Sequence, residues 1–392
     1  MLLLALLAAA AFSSSLAIRV LDPLVPELAR DLAADPATVA LLASAFAFPC
    51  ALGQPILGPL GDAFGKARMI KICLAMLTLG SVAAAFAPTI EILFVARMMT
   101  GFASGGIVPL CFATVGDRFG MHERQVALSR ILSAILIGQL TGAIGAGWVA
   151  LTWSWRVVLA ITAAASLAAL VAGAIGLKPL PGAQRKPFTL QRVFGNYAIV
   201  LANPQAFVCY GAVLVEGMAI FGILPFLAVM LEADGIGSLK EAGYIISGMA
   251  VGGILYTLAV KAMLRRIDIY MLVRLGGVVC AAGLLGLALS HGWPPKVLAF
   301  VAVGFGFYMI HNSIQTQVTE LAPEARGSAV ALHAFSFFLG QAFGPVLYRV
   351  GLSGLGPVPT ITISAIVMLI LGIAAAAGFA RYRSVAASKP SA

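Results

Sequence analysis

The chain has 392 residues, of which 61% are hydrophobic and 10% are charged, and its formal net charge is +10. A soluble domain carries about 25% charged residues. The composition therefore excludes an ordinary soluble protein and indicates one whose apolar surface is covered by lipid. A basic chain can bind nucleic acid, but here the Lys and Arg residues cluster in short links between apolar segments, so we expect no nucleic-acid partner.

Twelve apolar segments of about 19–25 residues are each long enough to cross a bilayer as a helix. The first one lacks the positively charged start of a secretory signal, so we expect it to be retained. The five cysteines lie in these segments without a C-x-x-C spacing, which favours small buried side chains. We predict spans at 3–26, 38–60, 69–87, 90–112, 127–150, 156–177, 205–230, 241–262, 270–290, 296–318, 327–349 and 358–380.

The placement of positive charge predicts the orientation of these spans. Most of the 25 Lys and Arg residues fall in links that share the cytoplasmic side if the N-terminus is cytoplasmic. We therefore predict that both termini are cytoplasmic. The Ala- and Gly-rich composition indicates a bacterium, and the expected location is the inner membrane.

The longest polar link divides the chain into two halves. We predict an N-terminal six-helix bundle over 1–177, a cytoplasmic linker over 178–204 with a short amphipathic patch, and a C-terminal six-helix bundle with a short tail over 205–392. An internal repeat supports this division: "GQLTG" begins at Gly138 and "GQAFGP" at Gly340, and the same offset relates Arg124 to Arg326. Two parallel six-helix halves are a known plan for transporters.

The link after the second span reads "GPLGDAFGKARMI" and begins at Gly58. It resembles the signature loop of the major facilitator superfamily, although Ala63 and Ala67 stand where the family has basic residues. The resemblance implies an all-α membrane protein with twelve transmembrane helices in two pseudo-symmetric bundles. It also implies a conformational-switch motif formed by Gly58, Asp62, Gly65 and Lys66. The alternative is a turn whose charges only set the topology.

Two further elements resemble motifs of the same family. Arg97 and Gly101 match an R-x-x-x-G element in the fourth span. The fifth span resembles an antiporter-associated glycine motif, with Ala143 in place of its proline, and the eleventh span keeps that proline. Small residues at this spacing let helices pack closely, so we assign a helix-packing role to Gly138, Gly142, Gly147, Gly340, Gly344 and Pro345.

Few ionisable side chains lie deep within spans, where an unpaired charge is costly. Five of the six belong to spans 1, 4, 7 and 10, and in the family those four helices line the central cavity. This agreement is the strongest indication of a site. The six residues are Arg19, Asp22, Arg97, Glu216, His311 and His333.

Arg19 and Asp22 lie three residues apart, so they share one face of the first helix. They form either an ion pair that fixes packing or a site that meets substrate or protons. Pro23 and Pro26 predict a kink or an early end to this helix.

Glu216 is the leading candidate for proton exchange. A carboxyl group in apolar surroundings can exchange a proton near neutral pH. It could equally bind a cationic substrate in competition with the proton. The alternative is a structural partner for Arg97 or His311. His311 also titrates near physiological pH, and it shares a helical face with Tyr308, Asn312 and Gln315, which could bind a polar substrate or only link helices.

"FYMIHNSIQTQ", "PEARGSAVAL" and "VEGMAIFGILPF" resemble the bacterial drug and sugar efflux branch of the superfamily. We therefore expect a secondary active transporter that exports drug-like or sugar-like compounds in exchange for protons, and that is monomeric. It is expected not to be an enzyme and to use no cofactor. No phosphate-binding G-x-x-x-x-G-K-[ST] motif is present, so we expect that ATP does not drive transport directly.

Two other functions stay open from the sequence. Proton-coupled uptake of a nutrient or metal would use the same residues. Met218, Met230, Met309 and His311 raise copper as a cargo, but no repeated spacing indicates a metal site. A receptor or scaffold without transport activity is the alternative of another class, and it would not need titratable groups on the cavity helices.

Overall fold

The structure is a computed structural model that describes residues 2–178 and 189–387. The described residues form helices and no strands, and twelve helical segments are long and apolar enough to cross a membrane. The predicted all-α class and the twelve spans are confirmed. In chain order the spanning helices are α1 Leu2–Asp31, α2 Pro36–Phe64, α3 Lys66–Ala85, α4 Ile90–Arg118, α5 Val126–Thr152, α6 Trp155–Gly176, α7 Gln205–Ala233, α8 Leu239–Met263, α9 Ile269–Leu289, α10 Trp293–Val318, α11 Pro323–Gly354 and α12 Pro357–Arg381.

Several helices extend beyond the predicted limits. For example, α4 continues to Arg118 although the apolar run was expected to end at 112, because its last turns are polar and hydropathy does not mark them as membrane. The final helix likewise continues to Ala387. Hydropathy locates the part of a helix that can lie in lipid. The helix itself continues beyond that part as long as its backbone hydrogen bonds continue.

Both α1 and α7 are broken near one end by a proline. In α1 the α-helix ends at Arg19, a 3-10 turn spans Asp22–Leu24, and a short helix follows over Val25–Asp31. In α7 the α-helix ends at Phe221 and a 3-10 turn over Leu224–Phe226 precedes the short helix Leu227–Ala233. Pro23 and Pro225 lack a backbone N–H and interrupt the ladder. The predicted kink in the first helix is present.

The glycine-rich helices α5 and α11 differ in regularity, because only α5 contains a π-helical turn. α5 contains a π-helical turn over Thr141–Gly145, where Ala143 replaces the proline of the related motif. α11 is helical from Arg326 to Gly354 and keeps Pro345 in its interior. Single π turns are often found at functional sites.

The helix contacts show the internal repeat. In the first half α1 packs against α4, α5 and α6, and α3 packs against α4 and α6. In the second half α7 packs against α10, α11 and α12, and α9 packs against α10 and α12. Each pair recurs six helices later, as expected for two copies of one bundle.

Contacts divide the chain into two compact units, Met1–Val193 with Leu224–Tyr244, and Phe194–Ile223 with Ile245–Ala392. The end of α7 and the start of α8 thus pack within the first unit, where Arg30 pairs with Glu232 at 2.9 Å. The predicted division at 178–204 stays a prediction. Residues 179–188 of that linker and 388–392 of the tail lie outside the described residues, and the rest of the linker contains the helix Leu190–Leu201, here called the linker helix.

Candidate functional site

The first unit holds a buried polar cluster beside the break in α1. Nη1 of Arg19 lies 3.3 Å from a carboxylate oxygen of Asp22, and both side chains are buried. Nη1 of Arg97 in α4 donates to the carbonyl oxygen of Ala17 at 2.9 Å, and its guanidinium lies 4.3 Å from the centre of the Phe46 ring. The last carbonyls of a helix lack intrahelical donors, so the break supplies the acceptor that Arg97 uses.

This cluster contains two guanidinium groups and one carboxylate. Such groups persist inside a membrane protein when each is paired or meets water. Nε of Arg97 is buried and has no hydrogen-bond acceptor among the described residues. The cluster can therefore accept one more hydrogen-bonding partner, such as water or a polar group of a ligand.

The second unit holds a different cluster, built around a carboxyl group. Glu216 in α7 is 0% exposed, and its Oε2 lies 3.0 Å from Nδ1 of His311 in α10. The His311 ring also lies 4.9 Å from the ring of His333 in α11. Among the described residues, neither Oε1 of Glu216 nor Nε2 of His333 has a hydrogen-bond partner.

Aromatic rings surround this carboxyl–imidazole cluster. Phe307 stacks on His311 with ring centres 4.8 Å apart, and Phe337 lies at the same distance from His311. Phe221 contacts both phenylalanines edge-on. Apolar walls of this kind exclude water and strengthen the electrostatic interaction between the acid and the imidazole.

His333 has no assigned role in the sequence-based site, although it was one of the six deep ionisable residues. It lies on α11, outside the four helices that the family resemblance favours. Its closeness to His311 follows from the packing of α11 against α7, which the glycines Gly340 and Gly344 allow. That glycine spacing is the sequence signal that could have brought His333 into the site.

The polar face predicted on α10 is divided in the structure. His311 points to α7 and α11, whereas the Tyr308 ring packs over Gly253 of α8. Asn312 hydrogen-bonds the hydroxyl of Tyr256, also in α8, and Gln315 is exposed. The structure therefore does not bring Tyr308, Asn312 and Gln315 to the Glu216 carboxyl.

The residues of the predicted switch motif meet at the junction of α2 and α3. Gly65 adopts a φ of +96°, which favours glycine, and it lets Lys66 begin α3. Nζ of Lys66 lies 2.9 Å from Asp62 and 2.6 Å from Asp117 of α4. Asp117 is not one of the predicted motif residues. It lies in the charged end of α4, beyond the predicted limit of that span, and this charged end is the sequence feature that could have identified it.

The packing-motif glycines lie where helix backbones approach closely. A Cβ on Gly138 would lie 2.6 Å from the carbonyl oxygen of Phe12 in α1, and one on Gly142 would lie 2.8 Å from that of Leu16. A Cβ on Gly147 would lie 2.6 Å from the carbonyl oxygen of Leu239. In the second half Gly340 contacts the backbone of α7 at Leu214, and Gly344 contacts it at Gly222, one residue before Pro345.

No group of three or more His, Cys, Asp or Glu side chains in 2–178 and 189–387 is arranged to hold a metal ion. The five cysteines are buried and unpaired with one another.

Twelve membrane-crossing helices, a repeat of six helices, and a buried polar cluster in each unit are typical of a membrane transporter for small molecules. A profile of the Major Facilitator Superfamily matches residues 7–345. The chain belongs to this superfamily, and it is a transporter and not an enzyme. The family predicted from the loop at Gly58 is thereby confirmed.

Curated relatives and solved structures agree with this membership. "Multidrug resistance protein 1" of Bacillus subtilis is 24% identical over 340 residues, which cover 86% of each chain. "Inner membrane transport protein YdhP" of Escherichia coli is 23% identical over 331 residues, covering 82% of this chain and 81% of the relative.

Among solved structures, a D-xylose-proton symporter superposes with a TM-score of 0.78 at 16% identity, covering 96% of each chain. The human organic anion transporter MFSD10 gives a TM-score of 0.73 at 15% identity, covering 95% of this chain and 99% of that one. Likenesses at this identity show the fold alone.

Proposed function

We propose that this transporter exports small drug-like or sugar-like molecules in exchange for protons, by alternating access. The observation that carries the proposal is the buried Glu216 carboxyl beside His311 and His333. The name of the Bacillus subtilis multidrug resistance relative supports the efflux direction and the drug-like class. The bacterial inner membrane, cytoplasmic termini and a monomeric state belong to the same proposal.

The charge balance of the cluster explains how exchange would be enforced. A proton on either Glu216 or His311 leaves the pair neutral overall, whether as acid and imidazole or as carboxylate and imidazolium. Loss of that proton leaves a net negative charge in apolar surroundings, which is costly. The proton therefore departs only when the cluster meets water or when a polar or cationic group replaces it.

The two unpartnered atoms of the cluster give the substrate a place to compete. Oε1 of Glu216 accepts hydrogen bonds, and Nε2 of His333 donates or accepts according to its tautomer. A substrate amine, amide or hydroxyl group that bonds these atoms would take the place of the proton. In the first unit, the cluster of Arg19, Asp22 and Arg97 is a separate candidate site for substrate or protons beside the break in α1.

The proposal is tested in proteoliposomes that contain a pH-sensitive dye. Ethidium, D-xylose and a copper salt are added in turn under an imposed proton gradient. We expect one of these to trigger proton movement, and Glu216→Gln to reduce that movement by at least about a hundredfold, the size of a lost acid–base group. Glu320→Gln, which alters an exposed carboxylate at the end of α10, is the matched control and should behave as the wild type.

Folding of Glu216→Gln is checked by its thermal unfolding and by substrate binding. Glu216→Asp, which keeps an acid, should retain part of the proton flux. Proton flux at the wild-type rate in folded Glu216→Gln contradicts the proposal.

A further inference from the structure

The linker helix carries an exposed apolar stripe. Leu190, Phe194 and Leu201 occupy one face at helical spacing, and they are 61%, 65% and 42% exposed. Val200, on the adjoining face, is fully buried against the protein. Burial also raises the pKa of the half-buried Tyr197 hydroxyl to about 12. One side of the helix thus packs on the protein, and the stripe next to it has no apolar cover among the described residues.

The flanking sequence is basic, and the side of the helix away from the stripe carries Arg192 beside the apolar Ile199. Gln191 and Arg192 are exposed on the side away from the stripe. The stretch from 178 to 205 contains Lys178, Arg185, Lys186 and Arg192, and it contains no Asp or Glu. Arg185 and Lys186 lie outside the described residues, so they enter only as sequence charge. A helix with an apolar stripe and a basic residue away from it, in a stretch without acidic residues, resembles those that lie in the membrane interface.

The linker helix ends close to the start of a membrane-crossing helix. Only residues 202–204 separate its end from the start of α7 at Gln205. Asn203 fixes this junction, because its side-chain amide donates to the carbonyl oxygen of Leu321 at 2.9 Å and accepts from the backbone N–H of Gln205 at 3.0 Å. Phe207, in the first turn of α7, is also exposed.

We propose that the linker helix lies in the headgroup layer on the predicted cytoplasmic side, with Leu190, Phe194 and Leu201 in the acyl boundary, and that Arg192 binds anionic phospholipid. Charge complementarity favours an anionic lipid, because a Lys or Arg near the surface of such a membrane is attracted to it. The membrane tether on both sides of the helix favours a lipid surface over a soluble protein. The inference is independent of proton coupling.

The test uses the full chain with a fluorescent label on Phe194→Cys. The matched control is Ile199→Cys, because Ile199 is also exposed and apolar, at 45%, but lies about 140° round the helix from Phe194. The native cysteines are buried, and the labelled wild type measures their background. Each protein is reconstituted in phosphatidylcholine with about 30% phosphatidylglycerol, an anionic content that gives the bilayer a negative surface potential.

The measured quantity is quenching by spin-labelled lipid. We expect blue-shifted emission and strong quenching for the label at 194, and weak quenching at 199. Spin-labelled phosphatidylglycerol should quench the label at 194 more than spin-labelled phosphatidylcholine does. Arg192→Gln should reduce that preference about fivefold, the factor that one basic residue near the surface supplies.

Equal quenching at 194 and 199, or none at either position, overturns the interfacial placement. Equal quenching by the two spin-labelled lipids, unchanged in Arg192→Gln, overturns the anionic-lipid site. If the stripe instead binds a soluble protein, the label at 194 would stay unquenched in these vesicles, which is the result that overturns the interfacial placement.

Discussion

Single residues distinguish the two halves more than their backbones do. At the repeat offset that relates Gly138 to Gly340, the counterpart of Glu216 is Ser14. Ser14 is fully buried, and its hydroxyl has no partner in the described part of the chain. The two bundles share helix positions and small packing residues, whereas the position of Glu216 carries an acid in the second half only. The buried acid of the first half, Asp22, lies elsewhere on α1 and is paired with Arg19. This asymmetry is why we place proton exchange in the second unit.

How far these contacts could be predicted depends on their separation in the chain. The pairing of Arg19 with Asp22 follows from helical spacing. The contact of Glu216 with His311 joins residues on different helices, so the sequence offered it only as one alternative beside a contact with Arg97. Asp117 was not predicted, because its ion pair with Lys66 depends on how α4 packs beside the junction of α2 and α3.

His333 provides a test of the cluster at the residue scale. His333→Gln keeps a hydrogen-bonding side chain but removes the imidazole next to His311, so substrate-triggered proton flux should fall by at least about tenfold. His291→Gln changes an exposed histidine and should leave the flux unchanged. The measurement is the initial rate of luminal pH change in proteoliposomes. Equal rates in the two variants would assign His333 to packing alone.

At the scale of helices, the repeat is visible in breaks and in close contacts. The break at Pro23 in α1 recurs at Pro225 in α7, and α5 packs on α1 as α11 packs on α7. The prolines and the glycine spacing predict these features locally. The π-helical turn over Thr141–Gly145 was not predictable in this way, because Ala143 carries no helix-breaking chemistry and the turn depends on the packing of α5.

Two glycines give a matched test of this packing. A methyl group on Gly340 would collide with the carbonyl oxygen of Leu214 in α7, whereas no described atom lies within 4 Å of the position that a methyl group on Gly211 would occupy. Gly340→Ala should destabilise the protein by about 1–3 kcal/mol, as overpacking does. Gly211→Ala should be neutral or stabilising by up to about 1 kcal/mol through helix propensity.

The comparison is made by thermal unfolding of both variants in the same detergent. A Gly340→Ala protein as stable as Gly211→Ala would show that α7 and α11 are not in close backbone contact.

At the scale of the whole molecule, hydropathy was sufficient to predict the number of spans, because an apolar run of bilayer length has few other stable folds. The loop at Gly58, taken with the twelve spans and the internal repeat, was sufficient to predict the superfamily. The substrate is less predictable, because it depends on a few side chains brought together by packing. One unit offers two guanidinium groups and a carboxylate, and the other offers a carboxyl group among imidazole and aromatic rings.

The central claim is that movement of substrate is tied to movement of protons through Glu216. The most direct measurement is substrate accumulation against its own gradient in proteoliposomes, driven only by an imposed pH difference, for the wild type and Glu216→Gln. We predict that the wild type accumulates substrate above equilibrium, and that Glu216→Gln exchanges substrate only until its concentrations are equal on both sides. Accumulation above equilibrium by Glu216→Gln would contradict the account, as would a wild-type protein that transports substrate with no response to the pH difference.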